Sequence, residues 1–149
     1  MTNEQLLEQV ADGELMRFFG VEIVSATREK VVLTMPVTAR VHQYVGIMNG
    51  GVSLLLCETA ASIGAVISTD LTKQTPVGIE INANHVRSVS SGIITVTATP
   101  VYTGRTVSVW QIEITNERGK LVCISRCTLS LKAGGAFPNK SESSAVAGG

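Results

Sequence analysis

The most constraining feature of the chain is the apolar run Val52–Ile67, which carries one ionisable carboxylate, Glu58. It holds Thr59 and two serines besides, and it falls short of the roughly 20 residues a membrane span needs. It therefore reads as a core helix. Asn49, directly ahead of Gly50 and Gly51, supplies a strong N-cap for it. A helix apolar on nearly every face is expected to be buried almost all round, so something must wrap it.

Strand patterns flank the run on both sides. Upstream, Val21 and Ile23 precede a polar turn at Thr27–Lys30, and Val31, Leu33 and Met35 alternate until Pro36 limits the strand. Residues 38–50 read as a loop. Downstream, Ile79, Ile81, Ala83 and His85 alternate with Glu80, Asn82 and Asn84, and strand-like stretches follow at 93–101, 106–115 and 121–131. The turns between them are Ser-Ser-Gly at 90–92, Thr-Gly at 103–104 and Asn-Glu-Arg-Gly at 116–119. Connections this short favour antiparallel pairing, because parallel pairing needs a long crossover. Ahead of all this, Leu6, Leu7, Val10, Leu15 and Phe18 fall near helical spacing around Gly13, which predicts one or two short amphipathic helices. The expected fold is α+β, a curved antiparallel sheet around one long buried helix. It would occupy residues 1–132, with a disordered Gly/Ser/Ala-rich tail at 133–149.

Composition narrows the function. At 149 residues, 44% hydrophobic and 16% charged, the chain suits one well-packed domain. Twelve basic residues balance twelve acidic ones, and one Trp, two Tyr and three Phe give few stacking platforms, which argues against nucleic acid as a partner. Cys57, Cys123 and Cys127 make no disulfide framework. On one strand, Cys123 and Cys127 would stand about 13 Å apart at about 3.3 Å per residue, too far to bridge. His42 and His85 are isolated, so no metal cluster is expected. The first eight residues show neither a basic nor an apolar signal segment, and the expected location is the cytoplasm, away from membranes.

Glu58 is the only formally charged side chain between Arg40 and Asp70. A carboxylate inside an apolar helix is costly unless it is paired, hydrogen-bonded or used. It either points out along a narrow open stripe or carries a catalytic or binding role. Ser62 lies one turn on, placed to hold the carboxylate or a water, or simply to pack. Cys57, beside Glu58 but about 100° round the helix, reads as a core thiol rather than a nucleophile. The glycines at 50 and 51 follow the N-cap, where backbone N–H groups lack internal partners. They allow either a tight turn or the close approach of a phosphate or a polarised carbonyl oxygen.

Taken together, Gln43-Tyr-Val-Gly-Ile-Met-Asn-Gly-Gly51, Glu58 with Ser62, Gly78-Ile-Glu-Ile-Asn-Ala-Asn-His-Val-Arg-Ser88 and Val107-Ser-Val-Trp-Gln-Ile-Glu-Ile114 resemble the hotdog-fold acyl-CoA thioesterases. The likeness covers residues 15–131. It points to the branch with the Arthrobacter-type 4-hydroxybenzoyl-CoA thioesterases and the 1,4-dihydroxy-2-naphthoyl-CoA hydrolases of menaquinone synthesis. It implies a homodimer, often doubled into a dimer of dimers, acting on an acyl-CoA with no cofactor beyond the CoA of the substrate. By the same resemblance Glu58 is the catalytic nucleophile or general base, and the Gly50 N–H polarises the thioester carbonyl beside Gly51. Gln43 contacts the carbonyl or water, and Ser62 supports hydrolysis. His85, Arg87, Ser88, Gly104 and Arg105 meet the acyl group or the CoA nucleotide. The family commonly has His where this chain has Asn49, which can cap the helix and donate a hydrogen bond but carries no proton at neutral pH. Two other functions fit the same fold. One is a non-catalytic acyl-CoA-binding module, against which Glu58 argues. The other is a dehydratase, which would want a His–carboxylate pair. Phenylacetyl and medium-chain acyl groups are alternatives to the aromatic ones.

Overall fold

The computed structural model describes residues 1–135, so residues 136–149 of the expected tail lie outside the described residues. Two short helices open the chain. The first, α1 (Asn3–Ala11), starts with a reciprocal cap: the Gln5 N–H donates to the Thr2 hydroxyl at 3.1 Å, and the Thr2 N–H donates to the Gln5 side chain at 2.9 Å. The second, α2 (Glu14–Phe19), ends at Gly20 in the left-handed conformation. Strands β1 (Glu22–Ala26) and β2 (Val31–Pro36) follow, then a 3₁₀ turn at Ala39–Val41 and the long helix α3 (Gly50–Ile67). Strands β3 (Gln74–His85), β4 (Ile93–Thr103), β5 (Val107–Thr115) and β6 (Leu121–Ala133) complete the domain.

All six strands form one antiparallel sheet in the order β1-β2-β4-β5-β6-β3, curled around α3. This is the expected α+β arrangement. Sheet residues that alternate inward, among them Leu33, Met35, Ile94, Val96, Trp110, Ile112, Ile114 and Leu129, pack on Leu56, Ala60, Ala61 and Ala65 of the helix. Each large apolar side chain taken fully out of water contributes about 1.5–3 kcal/mol. Trp110 approaches α3 at Gly64, where a Cβ would collide with its ring, and its indole N–H donates to Ser108 at 2.8 Å.

Three expectations need correction. The helix is half-buried, not buried almost all round: Leu54, Leu55, Glu58, Ser62 and Val66 lie on a side the sheet leaves uncovered. By composition α3 could cross a bilayer, with mean hydropathy 1.6 over 18 residues, yet half of it is packed inside the domain. Second, β3 begins at Gln74 and runs through Pro76, which an edge strand tolerates because its outward N–H row has no partner to lose. It pairs with β6 rather than with β4, its neighbour in sequence. Third, the sheet outlasts residue 132. Ala133 ends β6, and the Gly134 N–H donates to the Lys73 carbonyl at 3.1 Å.

Candidate active site

The first turn of α3 carries one open donor. The Asn49 side chain accepts from the Gly51 N–H at 2.8 Å, and the Asn49 carbonyl accepts from the Val52 and Ser53 N–H groups at 3.1 and 3.4 Å. The Gly50 N–H has no acceptor among the described residues. It lies at the positive end of the helix dipole, which suits a partial negative charge. Asn49 spends its oxygen as the helix cap.

Gly50 opens into a cleft of about 420 Å³ with Gln43, Ser53, His85, Arg87 and Ser88 on its lining. His85 Nε2 stands 3.0 Å from where a Gly50 Cβ would be, so a larger residue there would make the exposed imidazole give way. Two cross-ties hold the cleft together. The Met48 N–H donates to the Val89 carbonyl at 2.7 Å, and His42 Nε2 lies 2.7 Å from the Ser90 carbonyl, which tethers the Gln43 loop to the Arg87–Ser88 segment. Gln43 accepts from the Val45 N–H at 2.8 Å through its side-chain oxygen, leaving the amide NH₂ as donor. Arg87 donates to the Leu121 carbonyl at 3.3 Å while its side chain stays exposed.

Glu58 and Ser62 are in a different cleft. This one measures about 660 Å³ and lies between α1 and the uncovered side of α3, with Leu6, Leu7, Val10, Gly51, Leu54, Leu55, Thr59, Ile63 and Val66 completing its lining. The Glu58 carboxylate rests against Gly78 of β3, where any Cβ would strike it. Gly78 sits at a β-bulge: it pairs with Leu129, Glu80 pairs with Thr128, and Ile79 between them is turned out to solvent at 61% exposure. Neither Ser62 nor any other described residue hydrogen-bonds the carboxylate. Glu58 thus lies on the side of α3 that the sheet leaves uncovered, where that stripe forms a cleft.

Gly104 and Arg105 sit apart on the β4–β5 hairpin, where the Gly104 N–H donates to Val107 and the Arg105 carbonyl accepts from Gln74 at 2.8 Å. The apolar wall supplied by α1 was missed in the sequence. Its amphipathic spacing was visible, but nothing in it said which residue it would face. Cys57 on α3 and Cys123 and Cys127 on β6 are free and buried. The hydrogen bond with Cys123, together with burial, pushes the Cys57 thiol up. Burial, helped by the Glu58 and Glu80 carboxylates, pushes Cys127 up to about 11. Held protonated in this way, Cys57 and Cys127 are packing groups, not nucleophiles, while the hydrogen bond with Cys57 pulls Cys123 down.

Comparison with known proteins places the chain in a family. The model of the thioesterase superfamily matches residues 45–123. A 1,4-dihydroxy-2-naphthoyl-CoA hydrolase from Listeria monocytogenes is 47% identical over 79% of this chain and 95% of its own. A Bacillus subtilis relative, 49% identical over 78% of this chain and 93% of its own, carries no more than an esterase name. The crystal structure of a thioesterase from Haemophilus influenzae superposes with a TM-score of 0.79 at 42% identity, covering 87% of this chain and 90% of that one.

Proposed function

This chain belongs to the thioesterase superfamily, and on that premise we propose that it hydrolyses an aromatic acyl-CoA, with 1,4-dihydroxy-2-naphthoyl-CoA as the leading substrate. The observation that carries the chemistry is the pairing of an open Gly50 N–H at a helix start with a carboxylate on an apolar cleft of the same helix. The Gly50 N–H takes the thioester oxygen as negative charge builds on it. Glu58 either draws a proton from water as the water attacks the carbonyl carbon, or attacks that carbon itself and is freed by water afterwards. Either route consumes one water, breaks the carbon–sulfur bond, and yields the free acid and CoA. Gln43 offers its NH₂ to the carbonyl or the water, and Ser62 orients the water. A thioester suits so small a set of groups, since its carbonyl is electrophilic and its thiolate leaves readily.

The two groups belong to one site only if two copies share it. Eight residues separate Gly50 from Glu58, about 12 Å along a straight helix at 1.5 Å per residue. A carbonyl must lie about 3 Å from both. In a homodimer with paired α3 helices, the helix start of one copy meets Glu58 of the other. Two surfaces support this: the uncovered side of α3, and the outer edge of β3, unpaired among the described residues, with Val77 and Ile79 exposed. His85, Arg87 and Ser88, and Gly104 and Arg105 from the hairpin, receive the CoA portion, the guanidinium groups matching its phosphates. The aromatic acyl group is favoured by the Listeria relative's name and by the apolar lining beside Glu58.

Thiol release measured over naphthoyl-, benzoyl-, phenylacetyl- and straight-chain acyl-CoAs tests the reading, with Glu58→Gln as the paired variant. The naphthoyl and benzoyl members are expected to lead. Glu58→Gln keeps shape and removes charge, and should cost at least about 100-fold in kcat. A variant within threefold of the parent chain would sink the role of Glu58, and straight-chain preference would sink the aromatic assignment.

A further inference from the structure

We propose that α1 is the wall of the acyl pocket and that Leu6 sets the size of acyl group the pocket accepts. The inference rests on the reading above, that the cleft beside Glu58 receives the acyl portion of a thioester.

A helix of nine residues is too short to persist alone in water, where about 12–15 are marginal. α1 is held by its reciprocal cap and by two side chains, Leu7 and Val10, that pack on the main core. None of its residues is fully buried. Leu6 is on the same apolar side yet is not among the residues packed on that core; it faces the cleft. Leu7 and Val10 therefore anchor α1, and Leu6 is left to meet whatever fills the space.

That space is graded in chemistry. The α3 stripe brings Glu58, Thr59 and Ser62 to it as polar groups and Leu55, Ile63 and Val66 as apolar ones. A volume of about 660 Å³ is in the range of sites that enclose small organic molecules, and an apolar lining with a few polar groups is their usual make-up. Without α1 the cleft would lose the apolar wall that Leu6, Leu7 and Val10 supply. With it, a ring held near Glu58 has Leu6 against its far side. Apolar pockets discriminate by the fit of such contacts, so enlarging or filling the position should move preference along an acyl series.

The test uses the full chain with Leu6→Ala and Leu6→Trp, and kcat/KM over acetyl-, hexanoyl-, benzoyl- and naphthoyl-CoA. The readout is the naphthoyl-to-acetyl ratio, which a loss of fold or of active protein would not change. Leu6→Trp fills the wall and should lower the ratio about tenfold or more. Leu6→Ala removes the contact and should lower it about tenfold, since the ring loses its apolar partner while acetyl never reached it. A ratio within twofold of the parent chain in both variants overturns the inference. If the parent chain releases thiol from no member of the series, the thioester reading itself has failed, and the inference falls with it. If the parent is active and only the ratios are flat, that reading stands and the role of α1 alone is lost.

Discussion

Two atoms decide how Glu58 is aimed: its own Oε1 and the missing Cβ of Gly78. The bulge on β3 brings the strand's backbone against the helix, and only a glycine there leaves the carboxylate in the cleft. Alanine at 78 meets the free end of a flexible side chain, which can swing away, so the fold should barely notice. The chemistry should. Gly78→Ala is expected to hold stability within about 0.5 kcal/mol, the usual scale of a surface change, and to lower kcat at least about tenfold by displacing the carboxylate. Chemical denaturation and thiol release on the same preparation check both halves. A large loss of stability with unchanged activity would contradict the account of Gly78. Sequence alone exposed Glu58 as anomalous, because a lone charge in an apolar run is conspicuous. Gly78 entered only as the first residue of a family motif, since its purpose is visible only once β3 lies across α3.

At the level of elements, α3 tells why composition misjudged burial. Its inner face is built largely of small residues, Ala60, Ala61, Gly64 and Ala65, so that the sheet can come close. Leu54, Leu55 and Val66 line the cleft, while Leu56 and Ile67 are buried in the core. Counting apolar residues cannot distinguish a face meant for the core from one meant for a ligand or a second copy. Strands β2, β4, β5 and β6 were legible because each alternates against the helix. β3 was legible only from residue 79, since Pro76 and the bulge disguise its start, and its pairing with β6 follows from sheet closure rather than from local pattern. The Gln43, Gly50, His85, Arg87 and Ser88 grouping was available through family resemblance, and the α1 wall was not, because an amphipathic stripe does not name what it faces. Close packing makes a prediction here opposite in sense to the one for Gly78. Gly64→Ala improves helix propensity by about 1 kcal/mol, but its Cβ meets the rigid Trp110 ring, which is 1% exposed and has nowhere to go. Overpacking of this kind costs about 1–3 kcal/mol. The expected net result is a lower denaturation midpoint; an unchanged or higher midpoint would mean that the contact between α3 and Trp110 has room for a methyl group.

For the whole molecule the decisive matter is whether one chain can be an enzyme by itself. Gly50 and Glu58 open into separate clefts, eight residues apart along one helix. If the site is shared across a two-fold axis, each inactive copy can lend its partner the group the partner lacks. Glu58→Gln removes the carboxylate. Gly50→Val blocks the helix start, because its Cβ would already stand 3.0 Å from His85 Nε2 and the added methyls must push the ring aside. Each variant alone should be inactive. Mixed in equal amounts and allowed to re-pair, about half of the dimers are heterodimers. In each of these, one site combines both substitutions and the other combines an intact Gly50 with an intact Glu58. Roughly a quarter of the parent activity should therefore return on mixing, with mixed dimers identified independently by mass or by a tag on one chain. A single-chain site predicts no recovery at any ratio. Mixed dimers with zero activity would rule out sharing, whereas recovery that tracks the heterodimer fraction would make two copies of this chain the smallest unit able to hydrolyse its substrate.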